Sequence, residues 1–155
     1  MPLPPLLQYA NENEYRDHFE KTYCRQQIFT FDGIPVYIHR GMFQHAFYES
    51  THRNGLKDQF SVVRAQRMDW IKATLENPSA ALYQGWDNTK KKHDPKRRVS
   101  VVYEDFVVII RLGLKSGGEL KGEFVTCFQA DNSIGKIRQS ERWTKEECLR
   151  MLIKK

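Results

Sequence analysis

The residues of this chain that could do chemistry are histidines, arginines, lysines and hydroxyls. His45 falls beside the apolar side of a predicted helix, and Lys136, Arg138 and Ser140 follow one another at every second position. In an extended chain that spacing places three phosphate-binding side chains on one face. Histidine transfers protons near neutral pH, and fixed cations stabilise developing negative charge. Such a set could promote attack of an RNA 2′-OH on the adjacent phosphate without a metal.

A second predicted helix carries two arginines on its apolar side. It runs from Asp58, a candidate N-cap, towards Pro78, with large apolar residues at helical spacing. At 100° per residue, Arg64 and Arg67 fall inside the apolar stripe. Two interpretations stay open: the guanidinium groups reach solvent along their stems, or they face a polar pocket on the sheet.

One late strand carries a hydroxyl among large apolar groups. Leu120, Phe124, Thr126 and Phe128 alternate along it and are predicted to share one face. A polar turn then leads into the basic segment described above. Thr126 is therefore a candidate for positioning the same phosphate.

The segment 87–98 is predicted to be a basic loop. It contains Lys90, Lys91, Lys92, His93, Lys96, Arg97 and Arg98. Such a run of charge is typical of a solvated loop, but in a basic protein it can also follow a phosphate backbone. The candidates for substrate binding are Lys91, Lys92, Arg97, Arg98, Lys136 and Ser140.

The net positive charge of the chain favours a polyanion as partner. The chain has 155 residues and a formal net charge of +6, and a length of this order predicts one domain over residues 1–155. A basic surface kept for solubility is the alternative. The three cysteines lie far apart, and neither a glycine-rich nucleotide loop nor a closely spaced pair of metal ligands is present. We therefore expect no metal and no cofactor.

The order of predicted elements indicates an α+β fold. Residues 1–26 are predicted to be an N-terminal appendage with a short helix. A hairpin follows around Asp32-Gly33, then two helices, a hairpin at Glu104-Asp105 with a central strand from Phe106, and a final helix capped by Thr144. We expect N-terminal helices packed on a twisted, mainly antiparallel sheet of about four strands, with a short C-terminal helix.

The sequence gives no sign of a membrane segment or of a secretion signal. No apolar run approaches 18 residues, and the first residues lack the charged start of a signal peptide. A soluble, cytoplasmic protein is the expectation, and no pattern specifies an oligomeric state.

These segments together resemble one group of ribonucleases. A helix with a histidine, a helix reading RAQRMDWIKATLENP, a basic loop, a hairpin, and FVTCFQAD followed by KIRQS are similar to the superfamily that includes barnase, EndoU, the tRNA-cleaving colicins and RelE toxins. The similarity spans residues 28–143 and points most to its phage and polymorphic-toxin branches. The resemblance implies a small α+β endoribonuclease that needs no metal, acting as a toxin or as a phage or host-conflict effector.

The resemblance also implies roles for individual residues. The helical histidine would be His45, the basic residue of the second helix Arg64 or Arg67, and the strand hydroxyl Thr126. The group after that strand would be Lys136, Arg138 or Ser140. Some branches use a second histidine on the sheet. Here the last histidine, His93, falls in the predicted loop, which leaves open whether an arginine or a lysine replaces it.

Two other functions fit the same features. A non-catalytic RNA-binding module could use the same sheet and the loop from Lys90 to Arg98. A protein-interaction factor could offer its basic surface to an acidic partner, such as an antitoxin or immunity protein.

Overall fold

The computed structural model describes residues 3–52, 56–87, 91–131 and 133–153. Six α-helices and eight strands are present in these ranges. The helices are α1 (Glu12–Phe19), which continues as a π-helical turn over Glu20–Cys24, α2 (Met42–Phe47), α3 (Val62–Ala65), α4 (Asp69–Glu76), α5 (Ile134–Arg138) and α6 (Lys145–Ile153). The strands are β1 (Ile28–Phe29), β2 (Pro35–Tyr37), β3 (Tyr48–Glu49), β4 (Gln59–Phe60), β5 (Ala81–Asp87), β6 (Lys92–Tyr103), β7 (Phe106–Leu114) and β8 (Leu120–Gln129). The α+β class is confirmed.

The main sheet has six strands rather than about four. Its order is β1-β2-β8-β7-β6-β5, and β3 pairs with β4 separately. Strands β5 to β8 form an antiparallel meander, and β2 joins it by running parallel to β8. Local hairpin signals predict the β1–β2 pair. The parallel pairing of β2 with β8, in contrast, joins residues 86 positions apart. The prediction therefore missed that the first hairpin extends the sheet.

The two predicted hairpin turns are confirmed. Gly33 has a φ of +89°, and Glu104 has a φ of +56°. β1 and β2 pair across the first turn, and β6 and β7 pair across the second. β7, expected to be central, lies between β8 and β6.

The N-terminal segment contributes to the core instead of forming an appendage. Tyr15, Phe19 and Tyr23 are fully buried in the main hydrophobic cluster. Spacing of four residues keeps these rings on one side of the helix. The Phe19 ring packs edge-on against Phe47, and the Tyr23 hydroxyl donates to the Met68 carbonyl at 2.7 Å. These contacts join the first helix to α2 and to the start of α4.

The second predicted helix is two short helices. Its N-cap is Ser61, whose hydroxyl accepts from the Arg64 N–H, and not Asp58, whose carboxylate binds Thr51. Turns over 66–68 separate α3 from α4. Because of the break, the apolar stripe is buried only in part: Ile71 is buried, but Val63 is 62% exposed.

A β-bulge divides β8 into two parts that face different ways. Ile109 pairs with Thr126, but the next residue of β7, Ile110, pairs with Phe124, so Val125 is the extra residue. Phe124 is therefore buried in the main core, whereas Thr126 turns to the opposite face of the sheet. The prediction that Leu120, Phe124, Thr126 and Phe128 share one face is wrong.

The predicted basic loop is largely strand. β6 begins at Lys92, and Asp94 pairs with Gly85; the next pairing is Val99 with Gln84. Residues 95–98 are thus a four-residue excursion from the ladder with β5, although Arg98 still pairs with Arg111 of β7. The excursion packs on the C-terminal segment: the Trp143 indole, just before α6, donates to the Pro95 carbonyl at 3.0 Å, and the Cys148 thiol of α6 donates to the Lys96 carbonyl at 3.5 Å. Lys90 lies outside the described residues.

The segment after β8 is helical rather than extended. Residues 134–138 form α5, followed by a turn to Ser140. The C-terminal helix α6 is confirmed, with the Thr144 hydroxyl accepting from the Glu147 N–H at 3.3 Å. Within the described ranges, no helix is both long and apolar enough to cross a membrane.

Candidate active site

A cleft of about 840 Å³ opens on the face of the sheet opposite the main core. Its floor comes from β5, β6, β7 and β8, one side from the α5 segment, and one edge from His45 of α2. Of the catalytic candidates, His45 and Thr126 line it, and Lys136, Ser140 and Arg98 of the binding candidates do so too. The cleft therefore brings together a proton carrier, two cations and two hydroxyls.

The position of His45 depends on how α2 meets the edge of β8. β2 pairs with β8 only at Gly122 and Glu123, so the strand beyond them has a free edge. Arg64 occupies that edge: Nε donates to the Ala46 carbonyl at 2.8 Å and Nη2 to the Cys127 carbonyl at 2.7 Å. Ala46 directly follows His45 in the sequence, and Cys127 directly follows Thr126. Arg64 therefore joins the two cleft residues without itself lining the cleft.

The environment of His45 disfavours its charged form. Desolvation by partial burial lowers the pKa of His45 below its ordinary value of 6.5, and the nearby cations Lys57 and Arg64 lower it further. His45 is therefore neutral at pH 7. A neutral imidazole has a nitrogen free to accept a proton.

The helical form of α5 decides which basic residues face the cleft. Residues four apart lie on the same side of a helix, and a residue halfway between them points away. Lys136 and Ser140 accordingly line the cleft, whereas Arg138 turns outward and donates to the Glu104 carbonyl. The period-2 argument for Arg138 is therefore wrong, because the segment is not extended.

A second histidine lies in the cleft, on the sheet. His93 pairs with Trp86 across β5 and β6, with ring centroids 5.3 Å apart, and its Nε2 lies 3.1 Å from the Ser140 hydroxyl. The sequence indicated a loop here because the segment is a run of charged residues. No local signal shows that β6 resumes its pairing on the other side of the excursion.

The cations of the cleft have no acidic partners in the part of the chain that the structure describes. Arg98 and Lys136 form no ion pair with any described residue, and no carboxylate is among the described residues that line the cleft. The hydroxyls of Thr126 and Ser100 likewise have no hydrogen-bond partner in the described part of the chain. As far as the described residues go, an anion entering the cleft would meet unpaired positive charge and free hydroxyls.

The remaining candidates lie elsewhere. Arg67 lines a separate pocket of about 300 Å³, where Nε donates to the Gln129 side-chain oxygen at 3.1 Å and Nη1 to the Val63 carbonyl at 2.7 Å. Lys91, Lys92 and Arg97 are exposed at the end of the sheet near His93 and do not line the cleft. They are available for longer-range attraction of a polyanion.

Gly85 is the point where β5 passes closest to the excursion of β6. A Cβ atom at this position would lie 2.6 Å from the Cβ of Arg98. We expect Gly85→Ala to displace Arg98, to lower the free energy of unfolding by about 1–3 kcal/mol and to reduce any activity of the cleft. Urea denaturation measures the first effect.

The matched control is Gly117→Ala, in the turn between β7 and β8, where an added Cβ meets nothing within 4 Å. It should leave stability unchanged. Equal stability of the two variants would show that the close approach at Gly85 does not constrain the cleft.

No group of three or more metal-ligating side chains is found among the residues that the structure describes. In comparisons with known proteins, no family model, no curated protein and no solved structure matches this chain. Function is therefore argued from the cleft itself.

Proposed function

We propose that this protein is a metal-independent endoribonuclease whose active site is the cleft between α5 and β5–β8. The observation that carries the proposal is the presence of two histidines, His45 and His93, in one cleft with Arg98 and Lys136, cations that form no ion pair within the described residues. Two proton carriers and fixed positive charge are what cleavage by a 2′-OH requires.

The reaction follows from the properties of these groups. Neutral His45 accepts the proton of the 2′-OH, and O2′ forms a bond to phosphorus as the bond from phosphorus to O5′ breaks. His93, in its protonated form, supplies the proton that O5′ needs. Arg98 and Lys136 stabilise the charge that develops on the phosphoryl oxygens. The products are a 2′,3′-cyclic phosphate and a 5′-hydroxyl.

This proposal revises the roles expected from the sequence. Thr126 keeps its role as positioning hydroxyl, and His45, expected as general base or acid, becomes the base. His93 takes the place of the second histidine that some branches of the superfamily carry on the sheet. Arg64 becomes a positioning residue, because it binds the backbone next to both His45 and Thr126. The two other arginines, Arg67 and Arg138, have no part in the chemistry.

The direct test is cleavage without metal. Purified protein is incubated with tRNA and with total cellular RNA in the presence of EDTA, and the RNA is separated on a denaturing gel. We expect discrete fragments with the wild type and intact RNA with His45→Ala. Tight, salt-dependent RNA binding without any fragments would instead support the RNA-binding module.

The biological setting that the resemblance suggests, a toxin or host-conflict effector, has a simple test. Expression of the wild type should arrest growth of a bacterial host, and His45→Ala should relieve the arrest. Equal toxicity of the two proteins would contradict a toxic role for the cleft.

The pH dependence should report the lowered pKa of His45. Activity requires neutral His45, so kcat/KM should fall as pH decreases, with the midpoint of this acid limb below the ordinary histidine value of 6.5. Lys57→Gln removes one of the cations that disfavour the protonated imidazole, so the midpoint should move upward.

Lys72→Gln is the matched control, since Lys72 pairs with Glu76 on α4, away from the cleft. It should leave the midpoint unchanged. A midpoint at or above 6.5 in the wild type, or no movement in Lys57→Gln, would contradict His45 as the base.

A further inference from the structure

The floor of the cleft combines apolar surface with a nearly buried hydroxyl. Ile109, Phe128 and Ile137 supply the apolar surface. Ser100 pairs with Ile109 on the neighbouring strand and is only 6% exposed. A phosphate does not need an apolar floor, so this part of the cleft suits a different chemical group.

The Ser100 hydroxyl retains its hydrogen-bonding capacity. It has no hydrogen-bond partner among the described residues. It is also accessible, because Thr74 carries the one fully buried side-chain oxygen or nitrogen that lacks a partner in the described chain. A hydroxyl can both donate and accept, so it can bind either kind of group on the edge of a nucleobase.

An exposed aromatic ring stands at the end of the cleft beside a proposed proton carrier. Trp86 lines the cleft and is 47% exposed, although it packs edge-on against His93. Aromatic rings that stay open to solvent next to a basic groove are typical stacking platforms for unpaired bases.

We propose that the floor is a nucleobase site that binds the base of an unpaired nucleotide next to the scissile phosphate, and that Trp86 stacks against a neighbouring base. The Ser100 hydroxyl reads the edge of the base, and the apolar residues contact its faces. This inference rests on the proposed function and narrows its substrate class to single-stranded RNA. A base within a duplex has its edge paired and its faces stacked, so it cannot enter the recess.

Binding measurements test the site without requiring cleavage. The four nucleoside 3′-monophosphates and ribose 5-phosphate are titrated into the full chain by isothermal calorimetry. Nucleotides should bind about 5- to 150-fold more tightly than ribose 5-phosphate, since stacking contributes about 1–3 kcal/mol per base. The four nucleotides should also differ among themselves.

Variants assign the effect to residues. Ser100→Ala, a small change that the fold should tolerate, should reduce the differences in affinity among the four nucleotides. Trp86→Leu should weaken binding of a dinucleotide. Tyr37→Leu is the control, because Tyr37 is an exposed aromatic residue on β2 and does not line the cleft.

The outcomes separate this inference from the proposed function. Equal affinity for nucleotides and ribose 5-phosphate, or equal cleavage of duplex and single-stranded RNA, would overturn the nucleobase site even if RNA is cleaved. Selective nucleotide binding without cleavage of any RNA would support the nucleobase site and overturn the proposed nuclease.

Discussion

Replacing His45 or His93 with alanine should lower the rate of RNA cleavage by about 10²–10⁴-fold, with little change in RNA affinity. Each histidine is proposed to move one proton in the transition state, and cleavage stalls if either proton has no carrier. The cations Arg98 and Lys136 remain in both variants, so substrate binding is retained. Single-turnover rates at saturating protein separate the chemical step from binding.

Two matched controls lie outside the cleft. His39→Ala removes an imidazole that is 64% exposed and approaches Glu123 at 3.7 Å, and it should leave the rate unchanged. Arg138→Ala should also leave it unchanged, whereas Lys136→Ala, two residues away on the same helix, should lower it. A lower cleavage rate in Arg138→Ala, with an unchanged rate in Lys136→Ala, would mean that α5 presents its other side to the substrate.

Replacing Phe19 with alanine should lower the free energy of unfolding by about 3–5 kcal/mol. The Phe19 ring is fully buried and packs against the rings of Tyr23, Phe43 and Phe47. Its removal leaves a cavity where α1 meets α2, and α2 carries His45. Urea denaturation followed by far-UV circular dichroism measures the change.

Phe29→Ala is the control, because that ring is 46% exposed at the edge strand β1. It should change stability by no more than about 0.5 kcal/mol. Near-equal stability of Phe19→Ala and the wild type would restore the interpretation of residues 1–26 as an appendage.

The sequence was informative where the determining signal is local. Asp32-Gly33 and Glu104-Asp105 specify turns through their own backbone preferences, and Thr144 caps α6 through a contact three residues away. The continuous apolar run from Phe106 indicated a strand buried on both faces. Each of these features depends on neighbours within a few positions of the chain.

The cleft depends on features that a local pattern does not encode. The bulge at Val125 turns Thr126 away from the core. β6 leaves its pairing with β5 at residues 95–98, and His93 pairs with Trp86 on the far side of this excursion. Both irregularities arise from pairing between strands, which reverses or shifts the two-residue alternation. His45 and Thr126 were found because their types are unusual in their surroundings.

Arg64 shows a third kind of difficulty. Its place inside an apolar stripe left two interpretations open, a guanidinium that reaches solvent along its stem or one that faces a polar pocket. Its partners, however, are the backbone carbonyls of Ala46 and Cys127, which the sequence does not distinguish from any others. A side chain that binds free backbone carbonyls can be identified only after the strand pairing along the edge of β8 is known.

The most direct test of the nuclease is the chemistry of the RNA ends it produces. A short single-stranded RNA is incubated with the protein in EDTA, and the fragments are weighed by mass spectrometry. Cleavage through the 2′-OH predicts a 2′,3′-cyclic phosphate on one fragment and a 5′-hydroxyl on the other, and no cleavage of the same oligonucleotide with 2′-O-methyl groups. Fragments with a 3′-hydroxyl and a 5′-phosphate, or cleavage of the methylated oligonucleotide, would contradict the proposed mechanism.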